Sequence, residues 1–278
     1  MSIKDAVNAL PPLSQLVNDS QLYAKKSLGQ NFLFDLNLTA KIASYAGQNV
    51  KTIIEVGPGP GGLTRSLLTQ TDAAIMAVEK DRRAIGFLDH LVAASDGRLH
   101  VEEADAMKAP LWEYGEAPRA IIANLPYNIA TPLLMGWLDH ADAFSSLILM
   151  FQKEVGHRIC AEPSTSAYGR LSIMCQWLAQ TELLFDIPPQ AFVPPPKITS
   201  SVVRLIPRKT PLYPCDKNTL EQVTAKAFSQ RRKMLRASFK SLGGAAMLED
   251  VGIDPATRPQ DLPLEQFCAL ARHLEGRI

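Results

Sequence analysis

Cysteine and histidine are scarce in this 278-residue chain, which contains four of the former and five of the latter. The cysteines, Cys160, Cys175, Cys215 and Cys268, stand far apart, whereas structural zinc sites usually pair their ligands a few residues apart. We therefore expect reduced thiols and no metal site. Long apolar runs are also missing, as is the apolar core of an N-terminal signal peptide. We expect a cytoplasmic protein that does not enter a membrane.

The chain also lacks a large net charge of either sign, because it contains 29 Lys and Arg residues and 28 Asp and Glu residues. Taken alone, this balance argues against a nucleic-acid-binding protein. The distribution is uneven, however: residues 1–150 hold 12 basic and 16 acidic side chains, whereas residues 151–278 hold 17 and 12. Such asymmetry is typical either of a polyanion-binding face in the second half or of ordinary variation on helix surfaces.

Short apolar runs alternate with amphipathic segments through the first 207 residues. Helices are expected after caps at Asp35 and Asp81, and another from Thr131 and Pro132, which suit an N-cap and a first helical position. Because continuous apolar strands alternate with helices, we expect an α/β fold with a mainly parallel sheet covered on both faces. The predicted strands are residues 52–56, 74–78, 99–102, 120–123, 147–151, 183–185 and 202–205.

Only helical periodicity remains after Pro207, and Phe267, Leu270 and Leu274 share one side of the last helix. The sequence therefore predicts an α/β domain over residues 21–207, a linker near residues 206–211 and a small all-helical C-terminal domain over residues 212–278. Residues 1–20 show weak periodicity and are expected to form a flexible extension.

A glycine-rich loop, GPGPGG at residues 57–62, follows the first strand and opens a helix. Glycines allow a ligand close to the backbone, and ligands of such sheets bind at the carboxyl ends of the strands. The Gly-Lys-Ser/Thr ending of a triphosphate-binding loop is absent. A dinucleotide and S-adenosyl-L-methionine both fit, because Gly57, Gly59 and Gly62 match G-x-G-x-x-G and Glu79 ends the second strand, where either ribose needs an acid.

Two further acids favour S-adenosyl-L-methionine over a dinucleotide. Asp105 follows the third strand, where a carboxylate can accept a hydrogen bond from an adenine amine. Glu55 precedes the glycine loop in a Glu-x-Gly-x-Gly pattern that resembles that of methyltransferases. Single acids are mostly surface residues, but that explanation fits poorly for three acids at or near the ends of three successive strands.

The segment Asn124-Leu125-Pro126-Tyr127 directly follows the fourth strand. It resembles the Asn/Asp-x-Pro-Tyr/Phe motif of methyltransferases that act on exocyclic amines of bases. Such an amine is a poor nucleophile, because its lone pair is delocalised into the ring. The Asn124 side-chain oxygen and the Leu125 carbonyl can accept its two N–H groups, Pro126 restricts Leu125, and Tyr127 offers a stacking face. The alternative is a structural loop with an ordinary Pro-Tyr pair.

Two other features are candidates for substrate binding. A duplex base must leave its stack to reach such a pocket, and Phe192 is either a second stacking face or a core residue. The segment 226–240 carries six basic and no acidic residues, which indicates either phosphate contacts, with Arg231, Arg232 and Lys233 at their centre, or a solvated helix.

Together these motifs resemble the ribosomal RNA adenine dimethyltransferases, whose fold is a Rossmann-like class I methyltransferase sheet. The resemblance is strongest to the bacterial branch, which dimethylates two adjacent adenosines near the 3′ end of small-subunit rRNA. It runs from about Lys25 to Lys240, and its segments occur in the family's order. They are GQNFL at 29–33, EVGPG at 55–59, NLPYNI at 124–129, QKEV at 152–155, YGRLS at 168–172, FVPPPK at 192–197 and QRRK at 230–233.

The resemblance implies S-adenosyl-L-methionine as cofactor, two methyl groups on each target adenine and a pre-formed small ribosomal subunit as substrate. We expect no DNA substrate, and a monomer. The residues it implies at or beside the cofactor are Gln30, Asn31, Leu33, Gly57, Gly59, Glu79, Asp105 and Asn124.

Four alternatives stay open on the sequence. A large-subunit rRNA dimethyltransferase of the macrolide-resistance type is disfavoured by the FVPPPK run and by the match around Gln152. A DNA adenine methyltransferase would need a target-recognition domain, for which the sequence offers no candidate. An NAD-dependent oxidoreductase would leave Asn124 and Tyr127 without a role, and the intact motif also argues against a non-catalytic assembly factor.

Overall fold

The computed structural model describes residues 1–19, 24 and 29–278. The chain forms two compact units. The first comprises Met1–Gly156 and Glu182–Pro207, and the second comprises His157–Thr181 and Arg208–Ile278.

A seven-stranded sheet of the described residues is the centre of the fold, with strand order β4-β3-β2-β5-β6-β9-β7. Strand β2 pairs in parallel with β3 and β5, as do β3 with β4 and β5 with β6, whereas β9 runs antiparallel to β6. A separate antiparallel pair joins β1 and β8. This confirms the predicted α/β class with a mainly parallel sheet. The strands are β1 Phe32–Leu33, β2 Thr52–Val56, β3 Ala74–Glu79, β4 Leu99–Glu103, β5 Arg119–Ala123, β6 Phe144–Gln152, β7 Ala179–Ile187, β8 Phe192–Val193 and β9 Ser200–Pro207.

In the first unit, helices follow strands β2, β3 and β5, as the alternating pattern predicts. Both predicted caps are present, since the Asp35 carboxylate accepts the N–H groups of Asn37 and Leu38 and the Asp81 carboxylate accepts that of Arg83. The helices are α1 Ile3–Asn8, α2 Leu13–Asp19, α3 Leu36–Ala43, α4 Gly62–Gln70, α5 Arg82–Ala94 and α6 Tyr127–Leu138, and α7 Lys153–Ile159 runs across the boundary between the units.

Helix α6 begins earlier than the sequence predicts. The prediction of a start at Thr131 and Pro132 is wrong, because the helix begins at Tyr127 and Pro132 lies inside it. The Pro126 carbonyl accepts the N–H groups of Ile129 and Ala130 and so starts the first turn. Pro132 is an interior residue of the helix and removes one helical hydrogen bond, so burial of the apolar face that follows outweighs this cost.

Residues 1–19 are helical where the sequence predicts a flexible extension. Ser2 and Asp5 form a capping box at the start of α1, and Val7, Leu13 and Val17 are buried. Helix α1 packs against α4 and α5. These helices have little signal in the sequence, because the apolar residues are few and spread over two short helices. The predicted domain boundary at residues 20–21 lies outside the described residues, as does Lys25, where the sequence resemblance begins.

The second unit is built mainly of helices around its own apolar core. Leu220, Val223, Phe239, Leu248 and Phe267 are fully buried there. The longer of its two chain segments begins at residue 208, within the predicted linker. The unit also includes residues 157–181, which the sequence analysis assigned to the α/β domain. Its further helices are α8 Arg170–Leu178, α9 Lys217–Phe228, α10 Leu235–Ser238, α11 Gly244–Asp250 and α12 Leu264–Leu274. Across the described residues, no helix has the length and apolar character needed to span a membrane.

Candidate active site

A cavity of about 270 Å³ opens at the carboxyl ends of strands β2 to β5 in the first unit. In a parallel sheet these strand ends lie side by side, and the loops that leave them form a crevice. The residues that line the cavity are 29–33, 55–60, 62–63, 78–80, 104–107 and 124–129. They include every cofactor-binding and catalytic residue predicted from the sequence.

The glycine loop has a backbone geometry that only glycine adopts readily. Gly57 has φ +69° and Gly59 has φ +53°, both in the left-handed region. A Cβ at Gly62 would stand 2.3 Å from the Leu33 carbonyl oxygen, so glycine is required where β1 approaches the start of α4. A Cβ at Gly57 would meet no atom within 4 Å, so the loop leaves open space there.

Glu79 is buried at the end of β3, and three backbone N–H groups hold its carboxyl group. Its Oε2 accepts from Gly59 at 3.2 Å, and its Oε1 accepts from Lys80 and Asp81 at 2.8 Å each. Burial raises the pKa of Glu79, and the three N–H groups oppose that rise. The side chain therefore ties the glycine loop to the turn that follows β3.

Glu55 lies on β2 with only 1% of its surface exposed. The Thr64 hydroxyl donates a hydrogen bond of 2.7 Å to its Oε2. Burial raises the pKa of Glu55 to about 8, with a smaller contribution from the charge of Glu79. At neutral pH the carboxyl group beneath the cavity is therefore mostly protonated.

Asp105 lines the cavity beyond β4 and is paired with a lysine that the sequence analysis did not single out. Lys80 Nζ lies 2.8 Å from Asp105 Oδ2, and the Met107 N–H donates to Asp105 Oδ1 at 3.1 Å. The Lys80 ammonium, with the Met107 N–H, holds the pKa of Asp105 below its usual value. Asp105 is thus an ionised acceptor at neutral pH.

Asp81 connects the segment 29–33 to the start of α5, a role that the sequence analysis missed. Gln30 Nε2 donates to Asp81 Oδ2 at 3.1 Å, while Arg83 Nε donates to Asp81 Oδ1 at 2.9 Å. The Arg83 guanidinium, more than any other group, lowers the pKa of Asp81. Only the position of Asp81 as a helix cap was visible in the sequence, because its bond to Gln30 joins residues 51 positions apart.

Asn124 follows β5, and a hydrogen bond from its side-chain nitrogen fixes the orientation of the side-chain amide. Asn124 Nδ2 donates to the Asn31 carbonyl at 3.0 Å, and Asn31 Nδ2 donates to the Gly29 carbonyl at 3.2 Å. Because a carbonyl can only accept, the nitrogen must face Asn31. The Asn124 Oδ1 is then the atom that remains as an acceptor.

Tyr127 opens helix α6 and is held by a residue that the sequence analysis also missed. Its hydroxyl lies 2.5 Å from the hydroxyl of Ser200, the first residue of β9. Ser200 is fully buried, and burial raises the pKa of Tyr127. The tyrosine is therefore a neutral ring with a fixed orientation.

Phe192, the candidate stacking residue, lies in the apolar core with 1% of its surface exposed. It pairs with Leu33 across β1 and β8 and does not line the cavity. Of the two interpretations left open by the sequence, the structure supports the core residue. The backbone pairing that buries Phe192 has no local signal in the sequence.

The basic residues 231–233 form a turn between α9 and α10 in the second unit. Arg231 Nη2 donates to the Ser166 carbonyl at 2.6 Å, so this side chain holds the segment before α8. Arg232 and Lys233 are exposed. Arg231 is exposed as well, but it differs from the other two residues in holding a backbone carbonyl.

Comparisons with known proteins agree with this geometry. Residues 21–275 match the profile of the family described as "Ribosomal RNA adenine dimethylase". Proteins named "Ribosomal RNA small subunit methyltransferase A" are similar along nearly the whole chain. The one from Paramagnetospirillum magneticum is 55% identical over 270 residues, covering 96% of each chain. The one from Rhodospirillum rubrum is 53% identical over 271 residues, covering 97% of this chain and 94% of the other.

Two solved structures share the fold. A dimethyladenosine transferase from Plasmodium falciparum superposes with a TM-score of 0.72 at 25% identity, covering 86% of this chain and 95% of the other. The 23S rRNA methyltransferase ErmE superposes with a TM-score of 0.66 at 26% identity, covering 88% of this chain and all of the other.

Proposed function

This chain belongs to the ribosomal RNA adenine dimethylase family, and from that premise we propose that it dimethylates two adjacent adenosines near the 3′ end of small-subunit rRNA, with S-adenosyl-L-methionine as methyl donor. The observation that carries the chemistry is the orientation of Asn124, whose amide nitrogen is bound to Asn31. Its oxygen is left as an acceptor at the edge of the cavity. The small-subunit substrate is supported by relatives with that name at 51–55% identity.

The cavity residues fit this cofactor. The open space at Gly57 admits a ligand against the loop backbone, and the buried Glu79 carboxyl group lies where ribose hydroxyls would donate hydrogen bonds. Asp105, ionised at neutral pH, is a suitable acceptor for an adenine amine. When bound, the cofactor supplies an electrophilic sulfonium methyl group. Gln30, Asn31 and Leu33 would cover it from the side of β1.

The target amine would be oriented by two acceptors of the NLPY segment. One is the Asn124 side-chain oxygen, and the other is the Leu125 carbonyl, to which no backbone N–H of residues 1–19, 24 and 29–278 donates. Pro126 follows with φ −56° and ψ 127°, an extended conformation, and α6 begins at the next residue. Two acceptors for two N–H groups direct the nitrogen lone pair towards the methyl carbon, so alignment by fixed polar groups supplies the catalysis. The proton is lost to solvent after transfer.

The RNA side of the proposal rests on stacking and on exposed cations. Tyr127 would stack on the adenine that has left its neighbours. Arg232 and Lys233 would contact phosphates, which position the enzyme without reading sequence. A pre-formed small subunit as substrate, action as a monomer and a cytoplasmic location are parts of the same proposal.

Methyl transfer from radiolabelled S-adenosyl-L-methionine to unmethylated small subunits, large subunits and DNA tests the function. We expect dimethyladenosine in small-subunit rRNA alone, identified by nucleoside mass spectrometry. Label in large subunits would instead favour the alternative of a large-subunit rRNA methyltransferase, a class that includes the structurally similar 23S rRNA methyltransferase ErmE. A folded protein that binds small subunits but transfers no methyl group would contradict the enzymatic proposal and favour an assembly role.

Replacing Asn124 separates catalysis from cofactor binding. Asn124→Ala removes one of the two acceptors for the amine, and we expect kcat to fall by roughly 10²–10³, the loss typical of one fixed polar group at a reacting centre. Cofactor affinity, measured by isothermal titration calorimetry, should change far less than kcat. Unchanged turnover would remove Asn124 from its proposed role.

A further inference from the structure

A short loop between β8 and β9 exposes two large apolar side chains close to the residues of the candidate site. We call residues 193–199, from the last residue of β8 to the residue before β9, the VPPPKIT loop. Val193 is 50% exposed and Ile198 is 41% exposed. Single exposed apolar residues need no explanation, but these two lie within one loop, together with the exposed cation Lys197.

Both ends of the VPPPKIT loop are attached to the candidate active site. At its start, Val193 pairs with Phe32, which lines the cofactor cavity. At its end, the Thr199 carbonyl accepts the Lys153 N–H at 2.9 Å. The next residue, Ser200, contacts the Tyr127 hydroxyl. The loop therefore connects the wall of the cavity to the tyrosine proposed to stack on the target base.

The middle of the loop is stiff, because the three prolines 194–196 have fixed φ angles and lack N–H groups. A stiff loop loses little conformational freedom on binding, so its exposed side chains are preorganised for a partner. Phe192 cannot reach such a partner, since its ring is buried in the core. The exposed residues after it are the ones placed to do so.

We propose that the VPPPKIT loop is an RNA-contact surface, on which Val193 and Ile198 pack against the bases next to the target adenosine while Lys197 contacts a backbone phosphate. This inference rests on the proposed function. A base that enters the cavity leaves an unstacked neighbour, and apolar side chains inserted at such a step cover the exposed base face. The loop would thus hold open the gap left by the target base while Tyr127 holds the base itself.

Serine substitutions at the two apolar positions test the stacking role. The experiment measures kcat and KM on unmethylated small subunits for V193S, I198S and the double variant. The matched control is I206S, because Ile206 is 40% exposed on β9 of the same unit and outside the loop. We expect kcat/KM of the double variant to fall by about tenfold or more, the effect of losing two apolar contacts, while I206S keeps the wild-type value.

Cofactor affinity distinguishes an RNA contact from damage to the cavity wall. By calorimetry, the Kd for S-adenosyl-L-methionine should stay within about twofold of wild type, and thermal unfolding should match I206S. A double variant with the kcat/KM of I206S would overturn the inference. So would a cofactor Kd that rises in parallel with the loss of kcat/KM.

Lys197 and direct binding provide a test that does not require turnover. Binding to small subunits is measured by filter binding at several salt concentrations. For Lys197→Gln, the plot of log affinity against log salt should be less steep by the amount expected for the loss of about one phosphate contact. The double serine variant should weaken affinity without changing that slope. An unaltered slope for Lys197→Gln, or unaltered affinity for the serine variant, would contradict the inference. If wild-type enzyme binds small subunits but methylates none, the proposed function fails while the loop is still judged by these affinities.

Discussion

The buried carboxyl group of Glu55 couples the stability of the protein to pH. Its ordinary pKa of 4.5 applies to the unfolded chain, whereas burial raises the folded-state pKa to about 8. Between these values unfolding releases a proton, so the free energy of unfolding falls as the pH rises. The contribution of this group is at most about 1.4 kcal/mol per pH unit.

Glu55→Gln keeps the shape of the side chain and removes the ionisation. Denaturant unfolding of both proteins between pH 5 and about pH 8 measures the difference. We expect wild type to lose stability relative to the variant as the pH rises through this window, with no further relative loss above it. Parallel curves would mean that Glu55 is ionised in the folded protein.

The hydrogen bond between Tyr127 and Ser200 gives a second prediction for single residues. Because the bond fixes a ring meant to stack on the target base, removing either hydroxyl should release the same orientation. We expect Tyr127→Phe and Ser200→Ala each to lower kcat/KM for small subunits by between about twofold and tenfold, and the double variant to lose no more than either one.

The control for this cycle is Ser145→Ala, which removes a serine hydroxyl that donates to the Arg119 carbonyl away from the cavity. It should leave kcat/KM unchanged. Losses that add in the double variant would show that the two hydroxyls act independently.

Among the elements, the segment 29–33 is tied to the start of α5 through the side chain of Gln30. Gln30→Leu removes the bond to Asp81, and we expect the Kd for S-adenosyl-L-methionine to rise between about twofold and tenfold, as for one ordinary hydrogen bond. Arg83→Leu is the matched control, since it breaks the side-chain hydrogen bonds from Arg83 to Asp81 and leaves Gln30 in place. A Kd that rises equally in both variants would place the effect in Asp81 or α5 rather than in the segment.

Elements with strong local signals were predictable from the sequence, and elements held by distant contacts were not. Strand β2 is a run of five buried residues that ends at the glycine loop, and Asp35 and Asp81 cap their helices as predicted. The start of α6 was misplaced because Pro132 gives a strong local signal that burial overrides. Helices α1 and α2 were missed because their few apolar residues show no clear pattern in the sequence. These residues are buried only through contacts with later elements, such as those of α1 with α4 and α5.

The same division holds for the candidate site. Motifs that are contiguous in the chain, such as the glycine loop and the NLPY segment, were visible in the sequence. Lys80, Asp81 and Ser200 were missed as site residues because each acts through a partner that the fold brings near. Phe192 shows the reverse case, in which a correct motif does not reveal whether a ring faces a ligand or the core.

For the whole molecule, the uneven charge between the halves predicts a salt-dependent interaction. The double variant Arg232→Gln/Lys233→Gln removes two exposed cations of the second unit. We expect its plot of log affinity for small subunits against log salt to be less steep by the amount expected for the loss of about two phosphate contacts. Arg277→Gln, another exposed cation of that unit, should leave the slope unchanged. An equal slope in the double variant and the control would remove the 231–233 turn from the interface.

Arg231 should behave differently from its two neighbours. Because its guanidinium holds the Ser166 carbonyl, we expect Arg231→Gln to lower thermal stability by more than Arg232→Gln does. Differential scanning calorimetry checks this, and equal melting temperatures for the two variants would contradict a structural role.

The arrangement of the cavity along the chain also sets an order in time. All the residues that line it lie between positions 29 and 129, whereas the hydroxyl that fixes Tyr127 belongs to residue 200. Translation proceeds from the N-terminus, so every contact proposed for the methyl donor has been synthesised some 70 codons before Ser200 is added. On a ribosome still making this protein, the residues that would hold the donor and orient the target are therefore complete before the hydroxyl that fixes Tyr127.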